Sequence, residues 1–190
     1  MTRILKVYSN GGIDMSKITE HFDTSEFRCN CGKEGINTEL VERLEKLFAA
    51  CQASCIIISS GYRCPDCSVA VGGYRNDTHT KGGAADLVVY RNGSNGGRGE
   101  PMSSFAVAAI AEDLGLFNGI GIIDDNYVHL DIRGVIPYSN SHWFGNEATG
   151  ENYTTFKSYL PSWYKGTAAE QSHKIKVYYD NKLIIEKDVN

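Results

Sequence analysis

His79 and Asp86 lie seven residues apart, and His129 stands in a later apolar stretch, VHLD. Two imidazoles and one carboxylate form a tripod that leaves a fourth position open on zinc, the ligand count of a catalytic zinc site. The same residue types also serve as ordinary hydrogen-bonding side chains, so spacing alone leaves both readings open. His21, His142 and His173 have no such company and read as structural or surface residues. The six cysteines stand at 29, 31, 51, 55, 64 and 67. Cys29, Cys31, Cys64 and Cys67 admit a four-thiolate zinc knot, but the C-x-C half and the long gap depart from the usual spacings. Reduced thiols are the main reading for these four. Cys51 and Cys55 are expected one helix turn apart, in the core.

These side chains need elements to hold them. The chain has 190 residues and a mass of 20.9 kDa, which fits one globular domain with a small appendage. With 42% hydrophobic residues, 22% charged residues and four prolines, it is neither disordered nor collagen-like. A net charge of −4 supplies no broad positive field, which argues against nucleic acid as a partner. No apolar run approaches the roughly 20 residues of a membrane span. The start, MTRILKVYSNGG, lacks the apolar segment of a secretory signal, so synthesis in the cytoplasm without a signal peptide is expected.

A short strand is expected over residues 4–8. From Asn37, which can cap, Leu40, Val41, Leu44, Leu47 and Phe48 recur at helical spacing. Ile56, Ile57 and Ile58 read as a buried strand. A long polar, glycine-rich passage then leads to a strand over 86–90, and residues 91–100 read as a surface loop with no phosphate-cradle pattern. A second helix is predicted over 103–114, ending at Gly115. Strands are predicted over 119–123 and 127–132, and a terminal hairpin over 175–179 and 183–186 around Asp180-Asn181. The pattern gives an α+β fold with a central antiparallel sheet, flanking helices and a small C-terminal hairpin. The expected divisions are 1–19 (strand and linker), 20–140 (the zinc domain) and 141–190 (extension). Trp143, Phe144, Tyr159, Trp163 and Tyr164 read as packing for that extension, with a glycan-binding surface as the alternative.

Read in full, His79 to Asp86 fits H-x-x-G-x-A-x-D, and Val128 to Asp131 fits V-H-x-D. With SGYRCP from Ser59, GGYRNDTH from Gly72 and SEFRCNCG from Ser25, the chain resembles the zinc D-Ala-D-Ala carboxypeptidase and endopeptidase family, relatives of the lysostaphin and hedgehog-like zinc folds. The likeness spans residues 20–135 and leans toward the phage and bacterial wall-lytic branch. It implies one catalytic Zn2+ on His79, Asp86 and His129, and hydrolysis of a peptide bond in the peptidoglycan stem. A phage or prophage lysin acting at the bacterial cell wall is the implied setting. Small residues at Gly82, Gly83 and Ala84 suit a tight turn from the ligand His into the strand that opens with the ligand Asp.

By the same resemblance, Arg63 binds the substrate carboxylate or stabilises the oxyanion. A surface ion pair is its other reading. Two positions depart from the family pattern. Asp77 stands where Ser is usual, and as a substrate-binding group it would accept an amine. Asn126 stands where the acidic base is usual. Strand alternation puts Tyr127, His129 and Asp131 on one face, about 7 Å from His129 to Asp131, which makes Asp131 a candidate base and Asp125 the runner-up. The other reading of Asp131 is a group that orients a ligand or pairs with Arg133 or Arg63. The rivals to the enzyme are a wall-binding or tail-associated module retaining the zinc fold, and a regulatory or adhesion protein with structural zinc.

Overall fold

The computed structural model describes residues 3–7, 18–94, 97–134, 142–166, 173–179 and 182–189. The fold is α+β. Its main body opens with a 3-10 turn, Thr24–Phe27, capped by Asp23. Helix α1 (Thr38–Ala50) follows, with the Asn37 side chain accepting the Glu39 amide at 2.9 Å. Strand β2 (Ala53–Ser60), helix α2 (Pro65–Ala70), strand β3 (Ala84–Asn92) and strand β4 (Arg98–Pro101) come next. Helix α3 (Ser104–Leu114) ends at Gly115, which is left-handed with φ +65°. Strands β5 (Gly119–Ile122), β6 (Val128–Asp131) and β7 (Trp143–Asn146) complete the body.

Six strands form one sheet in the order β2-β3-β6-β5-β7, with β4 pairing the far end of β3; only the β5–β7 pair is parallel. Alternation sorts the sheet into two faces. Ile56, Ala85, Leu87, Val89, Ile120, Ile122, Val128 and Leu130 face one way and pack with the apolar sides of α1 and α3 into the core. Asp86, His129 and Asp131 alternate with these residues and so share the opposite face. The antiparallel register sets Asp86 directly across from His129, and Gly119 and Gly121 across from Asp131 and His129.

Several local expectations are corrected here. Cys51 and Cys55 do not share a helix: Gln52, with φ +50°, ends α1, so Cys51 caps the helix while Cys55 lies in β2. The 91–100 segment is not a loop throughout, because β3 runs to Asn92 and β4 returns from Arg98, closed by the Gly93 amide on the Gly97 carbonyl at 2.7 Å. The polar passage after Ser60 holds α2, which begins at Pro65 where a missing amide hydrogen costs nothing. Beyond residue 140, β7 adds to the central sheet and Phe156 is buried in its core. Strand β1 (Arg3–Val7) pairs in parallel with β8 (His173–Tyr179), which pairs antiparallel with β9 (Lys182–Val189) as a separate three-stranded sheet. The hairpin's turn residues 180–181 lie outside the described residues. No described helix is long and apolar enough to cross a membrane.

Gly82 is left-handed, with φ +69°, and a Cβ there would overlap the Gly35 carbonyl; Gly115 is left-handed in open space. Gly82→Ala is therefore expected to lose about 2–4 kcal/mol of stability, and Gly115→Ala only about 1 kcal/mol. Equal denaturant midpoints for the two variants would refute the steric assignment.

Candidate metal centre

His79 opens a 3-10 turn, His79–Lys81, that delivers the chain to β3 through Gly82. Asp77 holds this turn from below: its Oδ1 accepts the Thr80 amide at 2.8 Å and its Oδ2 accepts the Ser68 hydroxyl of α2. Both oxygens of Asp77 are thus engaged within the chain, which explains the residue without the substrate-amine role expected of it.

The imidazoles are turned by bonds on their outer nitrogens. His79 Nδ1–H donates to the Gly61 carbonyl at 2.8 Å, and His129 Nε2–H donates to Asp131 Oδ2 at 3.0 Å. Those bonds assign the tautomers. With both rings neutral, they turn the His79 Nε2 and His129 Nδ1 lone pairs toward each other at 3.3 Å. Asp86 Oδ1 lies 3.3 Å from His79 Nε2 and 2.9 Å from His129 Nδ1. Both rings are buried, at 2% and 5% exposure. Two lone pairs and a carboxylate converging in a largely buried pocket repel one another unless a cation lies between them. The donor set therefore fits a metal ion, and the ligand atoms lie within 4.8 Å of one another.

Electrostatics point the same way. Burial opposes charge on His129, yet the carboxylates of Asp131 and Asp86 push it up to about 10. Burial would raise Asp86, but both imidazoles hold it well below the usual carboxylate range. The carboxylates that favour charge on His129 would equally favour a cation where the donors converge.

Asp131 lies behind His129, away from the converging donors. It is fully buried, and its carboxylate takes a guanidinium fork from Arg133 at 2.6–3.0 Å and the Arg133 amide at 2.9 Å. Burial would raise its carboxyl, but His129 and Arg133 hold it low. This arrangement departs from the expectation of a base: no oxygen of Asp131 is free, and its bond to His129 is on the ring nitrogen remote from Asp86. Room for the carboxylate comes from Gly119, where any Cβ would lie on top of it. Arg133 in turn sits 5.2 Å over the Trp143 ring, whose centroid is 6.5 Å from that of His129.

Asp125 is exposed at the β5–β6 turn, its carbonyl taken by the Ser104 amide. Asn126 ties the same turn to the Met102 carbonyl at 3.1 Å. Arg63 adjoins the centre through its amide, which donates to the His79 carbonyl at 3.3 Å, and its Nε is buried without a partner among the described residues. His21 pairs with Glu45 at 2.7 Å and stacks on Phe48; His142 is exposed beside Phe144. The side chain of His173 lies outside the described residues. Of the aromatic group, Phe144 is buried, Trp163 stacks on Arg91 and Tyr164 bonds Asp113, whereas Trp143 lines the metal face.

Sequence reasoning missed Glu147. It follows β7, its amide is held by the Ile122 carbonyl at 2.7 Å, and its Oε1 reaches to 3.6 Å from His129 Nδ1. Its side chain is 42% exposed. The space it crosses is left by Gly121, where a Cβ would sit 3.2 Å from the same oxygen. The alternate glycines of GIGI opposite VHLD were the available signal: two positions emptied on the face that carries the ligand His.

A family model described as Peptidase M15 matches residues 20–131, more than half of the chain. No curated protein matches it.

His79→Ala and His129→Ala should each lose the ion of this centre. Asp131→Asn should keep it with affinity weakened about 10–100-fold, the usual cost of removing an outer partner of a ligand His. Metal analysis after chelator competition checks both, and unchanged affinity in Asp131→Asn would refute its orienting role.

Proposed function

The chain belongs to the Peptidase M15 family of zinc metallopeptidases, and from that premise we propose that it hydrolyses a peptide bond in the peptidoglycan stem peptide. The reaction is of D,D-carboxypeptidase or L,D-endopeptidase type. The observation that carries this reading is the convergence of two buried imidazoles and a partly exposed carboxylate beside a half-exposed glutamate. A tripod sealed on all sides would suit a structural ion, whereas this one has a half-exposed carboxylate at its rim. The wall-lytic motifs SGYRCP and GGYRNDTH support a phage or prophage lysin acting at the cell wall.

When bound, zinc supplies a Lewis acid that polarises the scissile carbonyl and makes water nucleophilic near neutral pH. His79, Asp86 and His129 would hold the ion, and the Gly61 carbonyl and Asp131 fix the orientation of the two rings. Glu147 is the general base: its Oε1 removes the proton from the attacking water and then delivers it to the leaving amine. Asn126 needs no catalytic role on this assignment, since its amide secures the β5–β6 turn. Arg63 supplies the permanent positive charge that meets a substrate carboxylate or the developing oxyanion. Trp143 offers a flat apolar wall beside the ligand His129.

Purified peptidoglycan, digested with the zinc-loaded chain and followed by mass analysis of released fragments, should yield cut stem peptides. Full zinc with no cleavage would overturn the hydrolytic reading.

Glu147→Gln should retain zinc and lower kcat about 10²–10⁴-fold, while Asp125→Asn leaves turnover near normal. Arg63→Lys should lower kcat/KM without loss of zinc, because an ammonium cannot reproduce the guanidinium fork. Near-normal turnover in Glu147→Gln would remove it from the mechanism.

A further inference from the structure

Cys29 and Cys31 leave the 3-10 turn Thr24–Phe27 on a tight reversal, closed by the Gly32 amide on the Cys29 carbonyl at 2.7 Å and the Cys29 amide on the Lys33 carbonyl at 2.9 Å. Gly32 takes φ +87° there, a left-handed conformation that glycine adopts without strain. Cys64 precedes α2 and Cys67 lies in its first turn. Far apart in sequence, the two pairs meet in the fold. The Sγ atoms of Cys31 and Cys29 are 3.5 Å apart, those of Cys31 and Cys64 3.6 Å, and all four lie within 4.8 Å of one another.

We propose that Cys29, Cys31, Cys64 and Cys67 bind a second, structural zinc ion as a four-thiolate knot, separate from the His-Asp-His centre. Zinc–sulfur bonds of ~2.3 Å in a tetrahedron place the sulfurs roughly 3.8 Å apart, close to the spacing the thiols already have. A disulfide is a different object, with sulfurs bonded at ~2.0 Å, and none of the four cysteines is in one. The Cys64 amide also donates to Cys29 Sγ at 3.3 Å, a bond that favours sulfur as thiolate. Binding displaces the thiol protons and leaves four thiolates around one divalent ion. No fifth donor is needed, so the knot is closed and structural. Cys51 marks the contrast: it is sealed in the apolar core, outside the thiol cluster.

The knot has a mechanical consequence for the other centre. It clamps the 24–37 segment to the connection between β2 and α2, and Gly61 lies where the two meet. The Tyr62 amide donates to the Phe27 carbonyl at 2.9 Å, and a Cβ on Gly61 would collide with the Phe27 backbone. The carbonyl of Gly61 is the group that fixes the His79 tautomer.

The full-length His79→Ala/His129→Ala variant, loaded with Co2+ in place of zinc, isolates the knot from the other centre. One equivalent bound with intense thiolate-to-cobalt charge-transfer absorption is the expected result, and adding Cys64→Ser should abolish that absorption. Should the double variant not fold, the unmodified chain is titrated instead: two equivalents bind, one of them with the thiolate bands. A thiol reagent should then find four cysteines protected with zinc and released by a chelator. Absence of thiolate bands, equal thiol reactivity with and without zinc, or disulfides among the four would each overturn the proposal. None of these readouts depends on peptidase activity, so the knot and the catalytic reading stand or fall apart from one another.

Discussion

Three donors that repel one another converge in a largely buried part of the protein, and much of the local structure exists to keep them there. Neither imidazole can rotate away, because each has its outer N–H committed: His79 to the Gly61 carbonyl and His129 to Asp131. Asp131 is itself a buried charge, costly without compensation. Arg133 compensates it through a forked contact and a backbone amide. The cross-strand register then does the rest, since Asp86 and His129 are direct partners on adjacent strands and their side chains emerge on the same face. A slip of β6 by one residue would turn His129 and Asp131 toward the core packed by α1 and α3.

The glycines follow from the same constraint. Gly119 and Gly121 stand opposite Asp131 and His129, and the volume they forgo is occupied by the Asp131 carboxylate and by the approach of Trp143 and Glu147. Gly82 lets the chain pass under the Gly35 carbonyl on its way from His79 to β3. The packing that fixes the ligands is thus made as much by absent side chains as by present ones.

This also explains which parts were legible in the sequence. Helices α1 and α3 announce themselves through Asn37, Gly115 and a helical apolar period, because caps and periodicity are local properties. The ligand His and Asp residues are legible because the motif binds them to a turn and two strands. Glu147 carries no such local mark: it reaches the centre only because β7 pairs in parallel with β5, a contact between segments separated by the whole β5–β6 hairpin. The four thiols were legible only as a candidate knot of unusual spacing, since loop closure between residues 31 and 64 depends on the close approach of Gly61 to Phe27. Cys51 and Cys55 misled in the other direction, as a helical spacing that Gln52 interrupts.

The two carboxylates nearest His129, apart from the ligand Asp86, divide their work by environment. Asp131 has no exposure, accepts bonds from Arg133 and His129, and is held well below the usual carboxylate range. A group so stabilised as an anion is a poor proton acceptor, and protonating it would strand both the guanidinium and the imidazole N–H. Glu147 is the reverse case. It is 42% exposed, lies on the Nδ1 side of His129 and spends no described bond on an arginine. On the catalytic reading, a base must gain and lose a proton in each turnover without unsettling the metal's ligands. Of these two, only a carboxylate outside the web that orients the ligands can do so, which assigns proton transfer to Glu147 and ligand geometry to Asp131.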